Sequence, residues 1–458
     1  MKQRTLALVL TAALALSLLG ATALAAEGDT AASDISSVQA EESQETKARE
    51  ETAQTEEKSE EEKPEEGEPG EEADNPPAEE YIPDPVGSIS FANLERRMHE
   101  GNLQILAIQE SVDMVEEIDY DKLKEQLREQ LNELAKTQWS LVMASDFMSD
   151  YEYHSAYDQL GNAYSAVRKQ FDAIKDGDMQ EDNADTIRQL RSLQNQIVAA
   201  GEATYVALAA MELQEDGLER QLSALDRQLT ELELRYELGH ISSVTLKQAQ
   251  AGRAALSSGL STLRMNLNVY KGQLELLIGA DITGEIALGA LPKVTREDLD
   301  SMDLEKDLQT AKENSWDIYQ ATETVEEERK TYNNSGGDYG YNTHPGDSSY
   351  MRIHHNWNTA KYTYDNTIQS FELGLRNLYL KVMDYKQVLD AAKTALAVEQ
   401  DNYAVAQLKQ SQGNLSQNKL LEAEDKLKEA REKVAGAEND LFSAYNTYRW
   451  AVDYGIMN

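Results

Sequence analysis

The chain contains no cysteine. That excludes a disulfide framework and a lipid anchor on a cysteine at the mature N-terminus. Aromatic bulk is also scarce, with 5 Phe and 4 Trp in 458 residues. A thick globular core is therefore not expected, and narrow leucine and alanine seams are. Six of the eight prolines (Pro64, Pro69, Pro76, Pro77, Pro83 and Pro85) crowd one N-terminal segment, and the 206 residues from 86 to 291 have none. An interior proline costs a helix about 3 kcal/mol, so this gap favours very long helices. Positive charge is short as well: the formal net charge is −40, which excludes nucleic acid and anionic lipid surfaces as partners.

Catalytic patterns are missing too. The six histidines (His99, His154, His240, His344, His354, His355) are scattered, and the His354-His355 pair has no carboxylate at a ligand spacing. There is no glycine-rich phosphate loop after a strand and no Gly-x-Ser-x-Gly elbow. No catalytic, cofactor-binding or metal site is expected, and the chain is not read as an enzyme.

What is present begins with a targeting signal. Lys2 and Arg4 precede an apolar run over 6–19, followed by a small-x-small cleavage site at Ala23 and Ala25. Residues 1–25 are read as a signal peptide that sends the chain across the cytoplasmic membrane to the cell envelope. Residues 26–85 are acidic, proline-bearing and of low complexity. Such a segment cannot bury enough apolar area to offset backbone ordering, and it is expected to be a disordered, solvated linker.

The strongest signal is an internal duplication. RYELGHISSVTLKQAQ (235–250) and KQSQGNLSQNKLLEAE (409–424) align without a gap over an offset of 174 residues. Gly239 pairs with Gly413, Ile241 with Leu415, Ser242 with Ser416 and Leu246 with Leu420. Apolar residues then step by 3 and 4 in both copies, from Leu246 to Leu277 (broken only at Arg253) and from Leu420 to Ala451. Upstream, Leu218, Leu222, Leu225, Leu229, Leu232 and Tyr236 form a coiled-coil seam. Each glycine suits the left-handed cap of the incoming helix, and Ser242 or Ser243 and Ser416 suit the N-cap of the returning one.

The pattern predicts two short helices over 89–118 broken near Gly101, then helices over 121–175, 183–238, 303–332, 359–412 and 416–454. Residues 279–301 link two halves, 86–285 and 286–458. Residues 333–357 read as a loop whose 351–357 segment alternates like a strand. Its neighbouring tyrosines (Tyr332, Tyr339, Tyr341, Tyr350, Tyr362, Tyr364) suit half-buried packing, glycan stacking or an interfacial belt. The fold class is thus all-α: duplicated long antiparallel coiled-coil helical hairpins, with at most a small β-hairpin.

The Tyr-x-x-Gly-x-x-Ser-x-x-x-Leu-x-x-Ala pattern is complete in the first copy and lacks only the tyrosine in the second. It resembles the outer membrane efflux protein family typified by TolC. LLIG (276–279) and the openings of the halves, 94–105 and 308–318, add to the resemblance, which covers about 89–456. The resemblance implies a homotrimeric hollow helical cylinder. Its hairpin tips would dock a periplasmic adaptor driven by an inner-membrane transporter, and its far end would be an outer-membrane β-barrel.

On that basis Gly239, Ile241, Ser242, Leu246, Gly413, Leu415, Ser416 and Leu420 are candidate docking residues. The family's aspartate six residues after the tip glycine is replaced by Thr245 and Lys419, so the candidates for a polar pore constriction are Glu422 and Gln248. The barrel is expected to be absent, because a membrane strand needs about 9–11 residues of alternating character. Residues 139–177 read as helix, and 333–357 are too polar and too short for two such strands. The functional expectation is an exit-duct component of an efflux or secretion assembly. The alternative is a non-conducting envelope scaffold or spacer.

Overall fold

The computed structural model describes residues 83–344 and 346–457. The signal peptide and nearly all of the acidic linker lie outside the described residues. Within them the chain forms twelve α-helices, one 3-10 turn and two very short strands.

Strand β1 (Ser88–Ile89) leads into α1 (Phe91–Gly101) and α2 (Leu103–Glu116). Helices α3 (Tyr120–Met143) and α4 (Asp150–Asp176) follow, then the 60-residue α5 (Asp178–Glu237) and α6 (Ser243–Leu277). Strand β2 (Ala287–Leu288) and the short α7 (Arg296–Asp300) open the second half. It continues through α8 (Leu304–Asn314), α9 (Trp316–Asn334) and α10 (Gly337–Thr343). The 64-residue α11 (Ser348–Ser411) and α12 (Gln417–Tyr454) complete it. At 1.5 Å per residue α5 runs about 90 Å and α11 about 96 Å.

The duplication read from the sequence is a duplication of structure. The stepping residues of the returning helices face inward in both copies, whereas Tyr236, at the end of the upstream seam, is exposed. Leu260, Leu267 and Leu274 of α6 and Leu427, Leu441, Ala444 and Tyr448 of α12 are buried, while Arg253, which interrupts the stepping, is exposed and pairs with Asp226. One apolar cluster lies in the first half around Met98, Ile105, Tyr205 and Leu274, and another in the second around Ala311, Leu375, Val382 and Leu441.

The plan also repeats at the far end of each hairpin. The helix pairs that open the halves break at Asn102 and Ser315. Each break is capped by its own side chain, Asn102 accepting from the Gln104 and Ile105 amides and Ser315 from the Ile318 amide. Against each break packs the left-handed glycine that ends the last helix of the same half, Gly279 on Gly101 and Gly455 on Ser315. Asn102 Nδ2 donates to the Leu277 carbonyl at 3.0 Å, and Asn314 Nδ2 to the Val452 carbonyl at 3.2 Å.

Four local expectations differ from the structure. The single helix over 303–332 is α8 and α9, because Ser315 ends the first in an extended conformation and caps the second. The single helix over 121–175 is two helices, because Ser149 and Glu152 form a reciprocal capping box that starts α4 after a 3-10 turn at Ser145–Phe147. Residues 351–357 are helical, not strand-like: Ile353, His354, Trp357, Asn358 and Ala360 face inward at helical spacing. Ring stacking of Tyr341 on His354 (centroids 4.1 Å apart) and of His344 on Tyr350 (4.5 Å) fastens α10 to α11. Finally, the β structure is a parallel pair, Ser88 with Ala287 and Ile89 with Leu288, and not a hairpin. Buried Tyr205 of α5 lies beneath it, its single hydroxyl proton shared between the carbonyls of Gly289 (2.7 Å) and Ile89 (3.1 Å).

The halves join along α5 and α12. Arg220 grips Glu432 with two parallel hydrogen bonds of 2.8 and 2.7 Å, and Arg227 pairs with Asp425. Deeper in, Glu202 of α5 accepts from Asn446 Nδ2 (2.7 Å) and Trp450 Nε1 (2.6 Å) of α12 through one oxygen. Burial holds its pKa above the usual carboxylate range against the pull of those two donors, and Glu95 adds to the rise. A raised folded-state pKa means stability that is full below the ordinary value and falls as pH climbs through the raised one. Glu202→Gln keeps an oxygen for both donors and removes the charge. It is therefore expected to be neutral to stabilising in denaturation at neutral pH, with the advantage disappearing in acid. Glu202→Ala should destabilise at every pH by about 1–3 kcal/mol for each orphaned donor. A Gln variant less stable than wild type at neutral pH would refute this account.

Candidate functional site

The two tips have the same backbone. At the first, Gly239 takes φ 72°, its amide bonds the Tyr236 carbonyl at 2.9 Å, and the His240 amide bonds that of Arg235 at 2.8 Å. At the second, Gly413 takes φ 74°, its amide bonds Gln410 at 2.9 Å, and the Asn414 amide bonds Lys409 at 2.8 Å. Both are Schellman turns, in which the left-handed residue lets two amides satisfy carbonyls that the helix end leaves open. The returning helix is N-capped by Ser242 through the Thr245 amide (3.2 Å) and by Ser416 through the Lys419 amide (3.4 Å). Ser243 is instead the first residue of α6.

The side chains divide differently from the sequence expectation. Ile241, Leu415, Leu246 and Leu420 are half-buried beneath the turns. Leu234 and its equivalent Leu408 are exposed alike a turn before the tips, whereas exposed Tyr236, Leu238 and Val244 of the first tip have no apolar counterpart at the second. Gln248 and Glu422 are both exposed, and Glu422 is ion-paired with Lys419 at 2.7 Å on the same helix. The structure thus offers a neutralised pair at Glu422 and not a bare carboxylate. Among the described residues no group of three His, Asp or Glu side chains could hold a metal ion, and no helix is long and apolar enough to cross a membrane.

A surface that the tip motif did not signal lies on the edges. Helix α6 packs on α5, α5 on α12 and α12 on α11, so the four long helices follow the order α6–α5–α12–α11. Helices α6 and α11 each bury one side in that arrangement and carry a second apolar stripe on the opposite side. On α11 it comprises Leu373, Leu380, Val388, Val398 and Val405, 44–62 % exposed, with exposed Ala391 and Ala395 filling the middle. On α6 it comprises Ala251, Ala255, Met265, Val269 and Leu276, the last three 56–60 % exposed. At 100° per residue each set falls within about 100° of arc. The signal was in the sequence as a second 3-4 stepping offset from the seam, but the stronger inner register masked it.

No family model matches the sequence, and no curated protein matches it. Among solved structures, the fold is similar to those of TolC-like outer membrane channels at low identity. The outer membrane protein VceC from Vibrio cholerae matches with TM-score 0.45 and 12% identity over 80% of this chain and 96% of that one. The outer-membrane channel OprN matches with TM-score 0.48 and 13% identity over 80% and 90%. The outer membrane channel CmeC of Campylobacter jejuni matches with TM-score 0.42 and 14% identity over 66% and 69%.

Proposed function

We propose that this chain is an exit-duct component of an efflux or secretion assembly in the cell envelope. The observation that carries the reading is the pair of unmatched apolar edges on α6 and α11. Two different edges on one protomer favour a heterologous contact, α11 of one copy against α6 of the next, and such contacts form a ring when the rotation between copies closes. Charge placement agrees, since in a chain of net charge −40 the α6 stripe has no Asp, Glu, Lys or Arg within its arc between Ala251 and Leu276, and the α11 stripe has a single one, Asp384, between Leu373 and Val405.

In this reading the ring is a homotrimer and the wall of a hollow cylinder. The paired tips at Gly239, Ile241, Ser242 and Leu246 and at Gly413, Leu415, Ser416 and Leu420 dock an adaptor driven by an inner-membrane transporter. Gln248 and Glu422, nine residues past each glycine, would line the narrow end. The chain acts outside the cytoplasmic membrane after loss of residues 1–25, and residues 26–85 serve as a tether ahead of the two repeats, 86–285 and 286–458. Helices α3, α4 and α9 to α11 occupy the segments where barrel strands would lie in the resembled family, so the far end of this duct is helical.

Native mass measurement of the mature chain should give a trimer. Met265→Asp or Leu380→Asp should convert it to monomers with unchanged helicity, because the substituted side chain is exposed in a single protomer and buried only in the ring. A wild-type chain that stays monomeric at high concentration would overturn the duct.

A further inference from the structure

The two tips share a backbone but not a surface. Over the 174-residue offset, Tyr236 stands where Gln410 stands, Leu238 where Gln412 stands, and Val244 where Asn418 stands. Tyr236 is 44 %, Leu238 61 % and Val244 61 % exposed. The turn does not require these groups: its hydrogen bonds come from backbone amides and the Ser242 hydroxyl, and the second tip closes the same turn with amides in all three places. Three apolar side chains held in water at a helix end, where the duplicate manages without them, are the kind of anchor that binding surfaces use.

One cation also stands beside them: Arg235 is ion-paired with Glu231 on its own helix, whereas Lys247 makes no ion pair among the described residues. We propose that the first tip alone is the affinity site of the docking end, and that its partner is a protein offering an apolar groove with a carboxylate at its border for Lys247. This rests on the docking role proposed above and makes it unequal: one strong site per chain instead of two. The second tip carries Lys409, with Lys419 held by Glu422, so it shares the charge complementarity but lacks the anchor. Its three amides lose water on docking and regain nothing from an apolar groove. Ile241 and Leu415, half-buried alike in both tips, cannot discriminate.

The test uses the full chain in its native host with a photocrosslinking residue at position 240 or at the equivalent position 414. Both sites are exposed and lie outside the exchanged triplet. The crosslinked protein is identified by mass spectrometry, purified and titrated against each variant. Position 240 should crosslink and position 414 should not. Y236Q/L238Q/V244N should weaken binding at least tenfold with an unchanged circular dichroism melt. The reciprocal Q410Y/Q412L/N418V should double the number of partners bound per chain and create a crosslink at 414.

Equal crosslinking from both positions, with binding unaffected by the exchange, would leave docking intact and overturn the inequality. Absence of any protein crosslink from either position would overturn both. A crosslink only to a second copy of this chain would make the first tip a self-association surface and overturn the proposed partner.

Discussion

Gly455→Ala and Gly279→Ala are each expected to destabilise the protein by about 3–5 kcal/mol. A left-handed conformation at a non-glycine residue costs roughly 1–3 kcal/mol. Overpacking adds about 1–3 kcal/mol where the surroundings cannot yield. Here they cannot, because the obstacle is backbone. A Cβ on Gly455 would lie 2.6 Å from the Ser315 nitrogen, and one on Gly279 would lie 2.7 Å from the Gly101 Cα. The tip glycines provide the control. Gly239 and Gly413 have the same positive φ, but nothing lies within 4 Å of an added Cβ, so alanine there should cost about 1 kcal/mol. Chemical denaturation of the four variants reads the difference directly. If Gly455→Ala proved no worse than Gly413→Ala, the closing turn of the second half would not seat against the break at Ser315 as described.

A comparable loss is expected from Glu275→Gln. This carboxylate is 2 % exposed and organises the segment that leaves α6. One oxygen accepts from the Thr283 amide (2.6 Å) and the Gly284 amide (2.7 Å), and the other from the Thr283 hydroxyl (2.6 Å) and the Ile286 amide (3.2 Å). Burial alone would raise its pKa. The hydrogen bonds from Thr283 and Gly284 outweigh burial and hold it below the usual carboxylate value. An amide side chain must turn its NH2 toward one pair of donors, which sets donor against donor. The lost charge-assisted bonds and the orphaned amides together amount to on the order of 3–5 kcal/mol.

The sign of the pH dependence follows from the depressed pKa. The contribution is full above the ordinary glutamate value and is lost as pH falls through the lower folded-state value. The gap between wild type and variant in denaturation should therefore be widest near neutrality and narrow in acid. A gap that stayed constant with pH would show that Glu275 is not ionised in the fold. The effect should also loosen β2, because residues 283–286 lead directly into Ala287 and its pairing with Ser88.

The sequence by itself determined the helical hairpins, their duplication and both turns. These features are local and repeated: a 3-4 apolar stepping, a glycine at the left-handed position and a serine three residues beyond it. Two independent copies had to agree in register. The capping box at Ser149 and Glu152 was equally local and legible, yet the helical periodicity on either side of it concealed the break.

Only the tertiary structure decided how the hairpins lie against each other, with α5 and α12 inside and α6 and α11 at the edges. Every long helix here carries apolar residues on more than one side, so periodicity alone cannot tell a buried seam from an exposed stripe. Tertiary packing likewise separated Ile241 and Leu415, half-buried under the turns, from Leu238 and Val244 in water. It also brought residues far apart in the chain together, Glu202 with Trp450 and Gly455 with Ser315. Contacts of that kind depend on which faces meet, and no sequence spacing records that.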